Sequence, residues 1–284
     1  MNTILKTYYN IDDDVKIKNY LSYQNQYLYI DKIEDINEFL RLFHTYQMYM
    51  KLCLIRGYSI YYNTFNEMMT FDYMVFKYHP SSFDLKTYLN VFLTPLPMRI
   101  SVEMIKEQWI EKIDYVKECA KEYAYSYKQN IDVLSLIYYY TAMGENAIVL
   151  LNSILNENPT STLSMCLSLK QNILPYAYEL LNPTYYMYSS RMRHVTHMLK
   201  SHIIDINMLK EYLDSYYFEK HEILYLYARM FYPSDFFDDV INKRIDIYNL
   251  ENHFYAIKKY MHILQEMSKL LINYITIPKI SWIQ

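Results

Sequence analysis

The chain has 284 residues, of which 52% are hydrophobic and 21% charged, and its formal net charge is −3. This balance is typical of a globular protein and excludes an intrinsically disordered one. The small net charge also argues against a protein whose whole surface attracts nucleic acid or anionic lipid.

Glycine is nearly absent, since the chain contains only Gly57 and Gly144. Phosphate-binding loops, dinucleotide-binding folds and nucleophile elbows all need glycine where the backbone approaches a ligand or turns sharply. The sequence therefore predicts no nucleotide cofactor, and no other motif indicates a cofactor.

Tyrosine is abundant, with 36 tyrosines beside 12 phenylalanines. Because the codons for Tyr, Ile, Asn and Lys are rich in A and T, this bias favours a chain encoded by an A/T-rich virus, plasmid or intracellular parasite. It also means that many buried rings must find a partner for the hydroxyl group.

The cysteines and the apolar runs indicate the compartment. Cys53, Cys119 and Cys166 are far apart and form no Cys-x-x-Cys pair, which disfavours disulfides and a zinc site. The N-terminal residues contain no signal-peptide core, and no apolar run is long enough to span a membrane. We expect an intracellular, cytoplasmic protein.

The first part of the chain has a mixed pattern. Residues 12–23 predict a short helix, residues 26–30 alternate as in a brief strand, and residues 33–50 carry a helical stripe. The aromatic run at residues 59–63 is typical of extended chain. Thr64, followed three residues later by glutamate, has the capping-box spacing and predicts a helix over the next apolar residues.

Two prolines within residues 94–98 favour an extended connector. We expect the chain to divide there into an N-terminal helical subdomain, residues 1–93, and a C-terminal one, residues 99–284.

Residues 101–158 form the most regular stretch and predict two or three consecutive helices. In the first, apolar residues recur at intervals of three or four on one face, and lysines and glutamates fill the other. The apolar stripe consists of Val102, Ile105, Trp109, Ile113, Val116, Ala120, Tyr123 and Tyr127. The next helix, from residue 131, has no polar face, and Gly144 is predicted to end it. A third short helix would then cover residues 145–155.

Beyond Pro159 the pattern predicts a run of short helices, which cover residues 160–171, 175–181, 184–202, 205–217, 219–231 and 234–244. A longer amphipathic helix, residues 248–275, follows. The predicted fold class is therefore all-α, either an irregular bundle or a short α-solenoid of stacked helical hairpins. The only predicted β-structure is a minor hairpin near the N-terminus.

Residues 183–204 contain no acidic residue and combine cations with aromatic rings, a pattern that suits RNA because cations neutralise phosphates and tyrosines stack on bases. The candidate nucleic-acid-binding residues are Tyr185, Tyr186, Tyr188, Arg191, Arg193, His194, His197, Lys200 and His202. On a helix Arg193, His197 and Lys200 share one side. The alternative interpretation is a solvated helical face. No ligand set for a metal is present, since His194 and His197 lack a third partner.

Arg191 and His197 are separated by five residues, which fits the Arg-x(4–6)-His pattern. In that detail the segment resembles the HEPN helical ribonucleases. The resemblance implies a metal-independent ribonuclease in which the histidine acts as general acid–base and the arginine stabilises the transition-state phosphate.

The function favoured by the sequence is that of a non-enzymatic helical protein acting through protein–protein interaction. We expect a protein partner or a homo-oligomer. The alternative is an RNA-binding protein or a HEPN-like ribonuclease that uses residues 185–202.

Overall fold

The computed structural model describes residues 2–52, 54, 56–79, 99–126, 131–157, 160–167, 181–245, 250–278 and 280. The chain divides into two compact units. Unit 1 comprises Met1–Thr94 and Ser164–Ser189, and unit 2 comprises Pro95–Leu163 and Ser190–Gln284. Within the described ranges, no helix is both long enough and apolar enough to cross a membrane.

Unit 1 is built on an antiparallel five-stranded sheet with two helices. The strands are β1 (Tyr20–Tyr23), β2 (Gln26–Lys32), β3 (Ser59–Ile60), β4 (Met69–Thr70) and β5 (Tyr73–Tyr78). Their order is β1-β2-β5-β3, and β4 pairs with β5 outside this path. Helices α1 (Asn2–Tyr9) and α2 (Ile36–Leu52) belong to the same unit.

The central strands of this sheet are covered on both faces. Tyr29 pairs with Phe76 and Ile30 with Val75 in the β2–β5 register. The Phe76 ring lies 5.7 Å from that of Phe39 on α2, whereas Ile30 and Val75 share a buried cluster with residues of α1. Successive residues of β5 are therefore buried, as expected for a strand packed between two layers.

Unit 2 is mainly helical. Its helices are α3 (Val102–Ser126), α4 (Ile131–Glu157), α5 (Arg191–Lys200), α6 (Ile206–Ser215), α7 (Lys220–Phe231), α8 (Ser234–Ile241) and α9 (Leu250–Leu271). Helix α7 packs against α4, α5 and α9, and α8 packs against α3. The chain is buried without a break from His221 to Ala228, so α7 is the centre of this unit.

A small sheet has the order β6-β7-β8, formed by β6 (Arg99–Ser101), β7 (Thr160–Leu167) and β8 (Tyr186–Ser190). Strands β6 and β7 pair antiparallel, with Ile100 opposite Ser161. The turn of 3₁₀-helix before β8, Pro183–Tyr185, is capped by Asn182, whose side chain accepts from the Thr184 N–H.

The prediction of an all-α fold is wrong, because unit 1 contains the five-stranded sheet. The helix predicted after the capping-box sequence is instead the hairpin of β4 and β5. Backbone pairing of β5 with β2 and burial of its aromatic residues outweigh the local helix signal. Three further predicted helices are also corrected, since residues 20–23 form β1, residues 160–167 form β7 and residues 186–190 form β8.

Helix α4 does not end at Gly144. No glycine adopts a positive φ, and the helix runs through this position to Glu157. A Cβ atom at Gly144 would lie 3.0 Å from Cζ of Phe237 and 3.1 Å from Cδ1 of Ile113. The glycine therefore permits close packing of α4 against α3 and α8. Most of the helix predicted at residues 175–181 lies outside the described residues.

Candidate functional site

The three tyrosines predicted to bind nucleic acid lie in unit 1 and are packed there. The Tyr186 side chain is buried. The Tyr188 hydroxyl lies 2.8 Å from Oγ1 of Thr45 on α2, and the Tyr185 hydroxyl accepts from that of Tyr20 on β1 at 3.4 Å. These contacts make the tyrosines part of the fold of unit 1 and not an open stacking surface.

Arg191 begins α5 and is held in a buried ion pair. Its Nε donates to Oε1 of Glu222 at 2.8 Å, and its Nη2 donates to Oε2 at 2.5 Å. The guanidinium also donates to the Tyr217 carbonyl at 3.0 Å and lies 4.5 Å from the centre of the Phe218 ring. These contacts give the Arg191 guanidinium a structural role within unit 2.

His197 lies almost two turns further along the same helix. Six residues correspond to a rise of about 9 Å, and they place the two side chains about 120° apart around the helix axis. Burial is the main reason that the pKa of His197 falls to about 4. The two side chains therefore lie on different sides of α5, with Arg191 held by Glu222. Their assignment as a catalytic pair stays a prediction.

The remaining basic residues of the segment differ in their surroundings. His194 is fully buried, and desolvation lowers the pKa of its imidazole to about 3. His202 is exposed after the end of α5 and has a left-handed backbone, with φ of 55°. Arg193 and Lys200 both lower the pKa of His197, as expected for cations on one side of the helix.

A cleft of about 450 Å³ opens in unit 1 between α2 and the edge strand β3. Ligand sites in proteins commonly have volumes of about 300–1,000 Å³. The cleft is lined by Leu40, Phe43, His44, Gln47, Ser59, Ile60, Tyr62 and Met68. It contains aromatic and aliphatic surface together with three polar side chains, but no lysine, arginine or carboxylate.

Among the residues that the structure describes, no group of three or more His, Cys, Asp and Glu side chains is placed to hold a metal ion. The predictions of a protein partner or homo-oligomer and of a cytoplasmic location stay predictions.

The fold of the chain is similar to that of a crystal structure of an aminoglycoside phosphotransferase from Alicyclobacillus acidocaldarius. The TM-score is 0.62 at 10% sequence identity, and the similarity covers 96% of each chain. No family model and no curated protein sequence matches the chain. At this identity the similarity shows the fold alone, which is the protein kinase-like α/β fold.

This similarity corrects the predicted function and the predicted fold class together. The interpretation as a helical-repeat protein acting through protein–protein contacts is wrong, because it depended on a stack of helical hairpins. The scarcity of glycine was also given too much weight as evidence against the folds that bind phosphate groups. Scarcity of glycine does not prevent the chain from adopting a fold that phosphotransferases use.

Protein kinases cover the donor phosphates with a glycine-rich loop of the N-terminal sheet. The hairpin of β1 and β2 instead turns at Gln24 and Asn25, with φ of 47° and 58°. Two positive φ values in a two-residue loop are typical of a type I′ turn. This turn therefore provides no glycine backbone for a phosphate.

The lysine–glutamate pair that kinases form between a strand and the following helix is also different here. The one lysine of β2, Lys32, is exposed and pairs with Asp72 at 3.8 Å. The one glutamate of α2, Glu38, is exposed in the first turn. Within the described part of unit 1, no ion pair joins the sheet to this helix.

Two acidic motifs of protein kinases do not occur in the sequence. Protein kinases hold Mg²⁺ and orient the attacking hydroxyl with His-Arg-Asp and Asp-Phe-Gly motifs. None of the eight histidines is followed two residues later by aspartate, and neither glycine follows Asp-Phe. From Asn158 to Ile204 the one acidic residue is Glu179, which lies outside the described residues.

Proposed function

We propose that the protein is a kinase-like small-molecule-binding protein, which holds an uncharged polar organic molecule on the phosphotransferase scaffold. The observation that carries the proposal is the combination of this fold with a sequence that lacks its carboxylate motifs. Among the described residues, no group of three or more His, Cys, Asp and Glu side chains is placed to hold the metal ions that would neutralise the transferring phosphoryl group. Binding is the part of a phosphotransferase's activity that such a chain retains.

The cleft in unit 1 suits a sugar-like ligand. Phe43 and Tyr62 offer ring surface, and the Tyr62 side chain is about half exposed. His44 and Gln47 lie one turn apart on α2, and Ser59 belongs to the opposite strand. Hydroxyl groups of a ligand can form hydrogen bonds with these three side chains while its apolar face covers an aromatic ring.

The lining also distinguishes between ligand classes. The structural neighbour is named for aminoglycosides, which are polycationic. A polycation needs carboxylates for tight binding, and the cleft has none. We therefore expect neutral polyhydroxylated molecules to bind better than aminoglycosides.

The test is a thermal-shift screen and calorimetry with neutral mono- and disaccharides, with an aminoglycoside and with Mg·ATP, followed by a phosphoryl-transfer assay. We expect a neutral saccharide to bind and no phosphorylated product to form. A magnesium-dependent product would overturn the proposal, and so would the absence of any saccharide binding.

Variants of α2 locate the site. Gln47→Ala removes one hydrogen-bonding group and should weaken saccharide binding about tenfold, which corresponds to about 1.4 kcal/mol. Lys51→Ala, an exposed change on the same helix that does not line the cleft, is the matched control. Equal affinities of the two variants would place the ligand elsewhere and refute this cleft as the site.

A further inference from the structure

Lys200, at the end of α5, lies in an unusual environment for an ammonium group. Its side chain is only partly exposed, and its Nζ donates to the Tyr232 carbonyl at 2.7 Å. The ring centre of Tyr260 on α9 is 5.8 Å away. No carboxylate of the described residues lies within ion-pair distance of this nitrogen.

A second cation, Arg229 on α7, is close to Lys200 and lowers its pKa. The guanidinium lies 5.4 Å from the ring centre of Trp109, and its Nη1 donates to the Tyr225 hydroxyl at 3.2 Å. Tyr232 stacks on the same tryptophan at 4.1 Å. Trp109 therefore helps to fix the positions of both polar groups.

Two buried polar atoms here lack a hydrogen-bond partner among the described residues. They are Nε of Arg229 and the hydroxyl oxygen of Tyr232. Buried polar groups in proteins are nearly always hydrogen-bonded, to protein or to a bound molecule. The Arg229 guanidinium acts on both the Lys200 ammonium and the Tyr232 hydroxyl, although Lys200 itself contacts Tyr232 through the backbone carbonyl. An unsatisfied N–H, an unsatisfied hydroxyl and an ammonium group are the kinds of donor that an oxyanion requires.

The charges around these donors are mostly positive. His197, whose pKa is lowered by Arg193 as well, faces the cluster from α5, and Asp235 faces it from the first turn of α8. Tyr260 contributes from α9, and Tyr139 and Tyr140 of α4 lie near that ring. The pKa of His197 falls to about 4, so this ring is neutral at physiological pH. Two carboxylates act on these groups, Asp235 on Lys200 and Asp238 on Tyr232, and Asp238 forms an ion pair with Lys112 at 2.6 Å.

We propose that Lys200, Arg229 and Tyr232 form a binding site for a tetrahedral oxyanion, the phosphate group of a small soluble molecule. The Arg229 guanidinium supplies a planar pair of donors and a permanent charge, and the Lys200 ammonium supplies a second charge. The site is formed within unit 2, and it does not depend on the proposed function of the cleft in unit 1.

Protonation of Lys200 makes this binding dependent on pH. Burial, and then the charge of Arg229, lower the pKa of the Lys200 ammonium to about 7, while Asp235 acts in the opposite direction. A bound anion favours the charged form and raises this pKa. Affinity for an anion should therefore fall as the pH rises above about 7.

Sulfate is the appropriate first probe because it stays a dianion from pH 6 to 8.5, whereas phosphate titrates in this range. Sulfate binding is measured by calorimetry and thermal shift, with sodium chloride at equal ionic strength as the reference. We expect binding that weakens about tenfold between pH 6 and 8.5, as protonated Lys200 is lost. An equal response to chloride and sulfate would overturn the site.

Three variants assign the effect to named groups. Arg229→Met should abolish sulfate binding, and Lys200→Arg should keep it while removing its pH dependence. Lys210→Met, an exposed change on α6, is the matched control and should behave as the unaltered protein. If Arg229→Met does not fold, Lys200→Arg decides alone, since an unchanged pH dependence in that variant refutes the assignment.

Glycerol 3-phosphate and vesicles carrying phosphatidic acid distinguish the source of the phosphate group. We expect glycerol 3-phosphate to compete with sulfate in solution. Binding to vesicles without competition by the soluble phosphate would refute a small soluble ligand.

Discussion

Arg191 and Glu222 form a doubly hydrogen-bonded ion pair that joins the first residue of α5 to the first turn of α7. The side chains are 7% and 0% exposed. Oε2 of Glu222 also accepts from the backbone N–H of Glu219 at 3.0 Å, which completes the capping box of α7. One carboxylate thus neutralises a buried cation and caps the central helix of unit 2.

Replacing Glu222 by leucine should destabilise the protein by about 3–5 kcal/mol, because it leaves the Arg191 guanidinium buried without a counter-charge. The measurement is the free energy of unfolding in urea. The double variant Arg191→Met, Glu222→Leu should be more stable than Glu222→Leu alone, since no unpaired charge remains.

The matched control for this pair is Arg99→Ala. It breaks the more exposed Arg99–Glu219 pair of 3.2 Å, and it should cost no more than about 1 kcal/mol. A Glu222→Leu variant as stable as this control would show that the buried pair contributes little.

Helical periodicity was sufficient to predict the long helices of unit 2. The apolar stripe of α3 is buried from Val102 to Tyr123, as predicted. Helices α6, α7 and α8 also begin within about one residue of their predicted starts. In these segments one face is apolar and the other polar, so the pattern in the sequence records the packing directly.

The sheet of unit 1 could not be predicted in the same way. Met74, Val75 and Phe76 are fully buried in succession, so β5 shows a continuous apolar run and no alternation. Such a run fits a buried helix equally well. Its pairing with β2, more than 40 residues earlier in the chain, decides the outcome.

Contacts between residues that are distant in the sequence also limit what could be predicted about the candidate sites. The sequence placed Arg193, His197 and Lys200 on one side of a helix, which is a local property. It gave no sign that Glu222 and Arg229, from a helix about 30 residues later, would lie beside this segment. A charged residue's partner depends on tertiary structure, and so does its role.

The buried histidines of α5 should make unit 2 sensitive to acid. The pKa of His194 falls to about 3 and that of His197 to about 4 through burial, whereas an exposed histidine has a value near 6.5. Below pH 6.5 the unfolded chain binds protons that the folded chain does not. The stabilising contribution is therefore present above pH 6.5 and is lost as the pH falls toward 4.

The expected slope is about 1.4 kcal/mol per pH unit for each histidine, at most. It is measured as the free energy of unfolding between pH 7 and 4.5. His197→Gln should reduce this slope, whatever its effect on stability at pH 7. His202→Gln should change it less, because His202 is exposed. Identical slopes in both variants would refute the role of burial.

Both the hydroxyl group and the ring of Tyr46 on α2 should contribute to the stability of the protein. The side chain is 0% exposed, and its hydroxyl oxygen accepts from the backbone N–H of Tyr58 at 2.8 Å. Tyr46→Phe leaves that buried N–H without an acceptor, which should destabilise the protein by about 1–3 kcal/mol in urea unfolding.

Tyr62→Phe makes the same chemical change on a side chain that is 52% exposed. It should alter the free energy of unfolding by less than about 0.5 kcal/mol. If the two phenylalanine variants were equally stable, the hydrogen bond to Tyr58 would make no net contribution to the free energy of unfolding.

Gly144 should contribute more to the stability of the protein than its helix propensity suggests. Alanine favours an α-helix over glycine by about 1 kcal/mol, so Gly144→Ala would stabilise an isolated α4. In the protein the added methyl group would lie 3.0 Å from Phe237, whose side chain is fully buried and has little room to move. We therefore expect Gly144→Ala to destabilise the protein by about 1–3 kcal/mol through overpacking.

The decisive measurement repeats the substitution in a Phe237→Leu background, where the smaller side chain makes room. There Gly144→Ala should become neutral or stabilising relative to Phe237→Leu alone. If the cost were the same in both backgrounds, contact with Phe237 would not be the reason that glycine occupies this position.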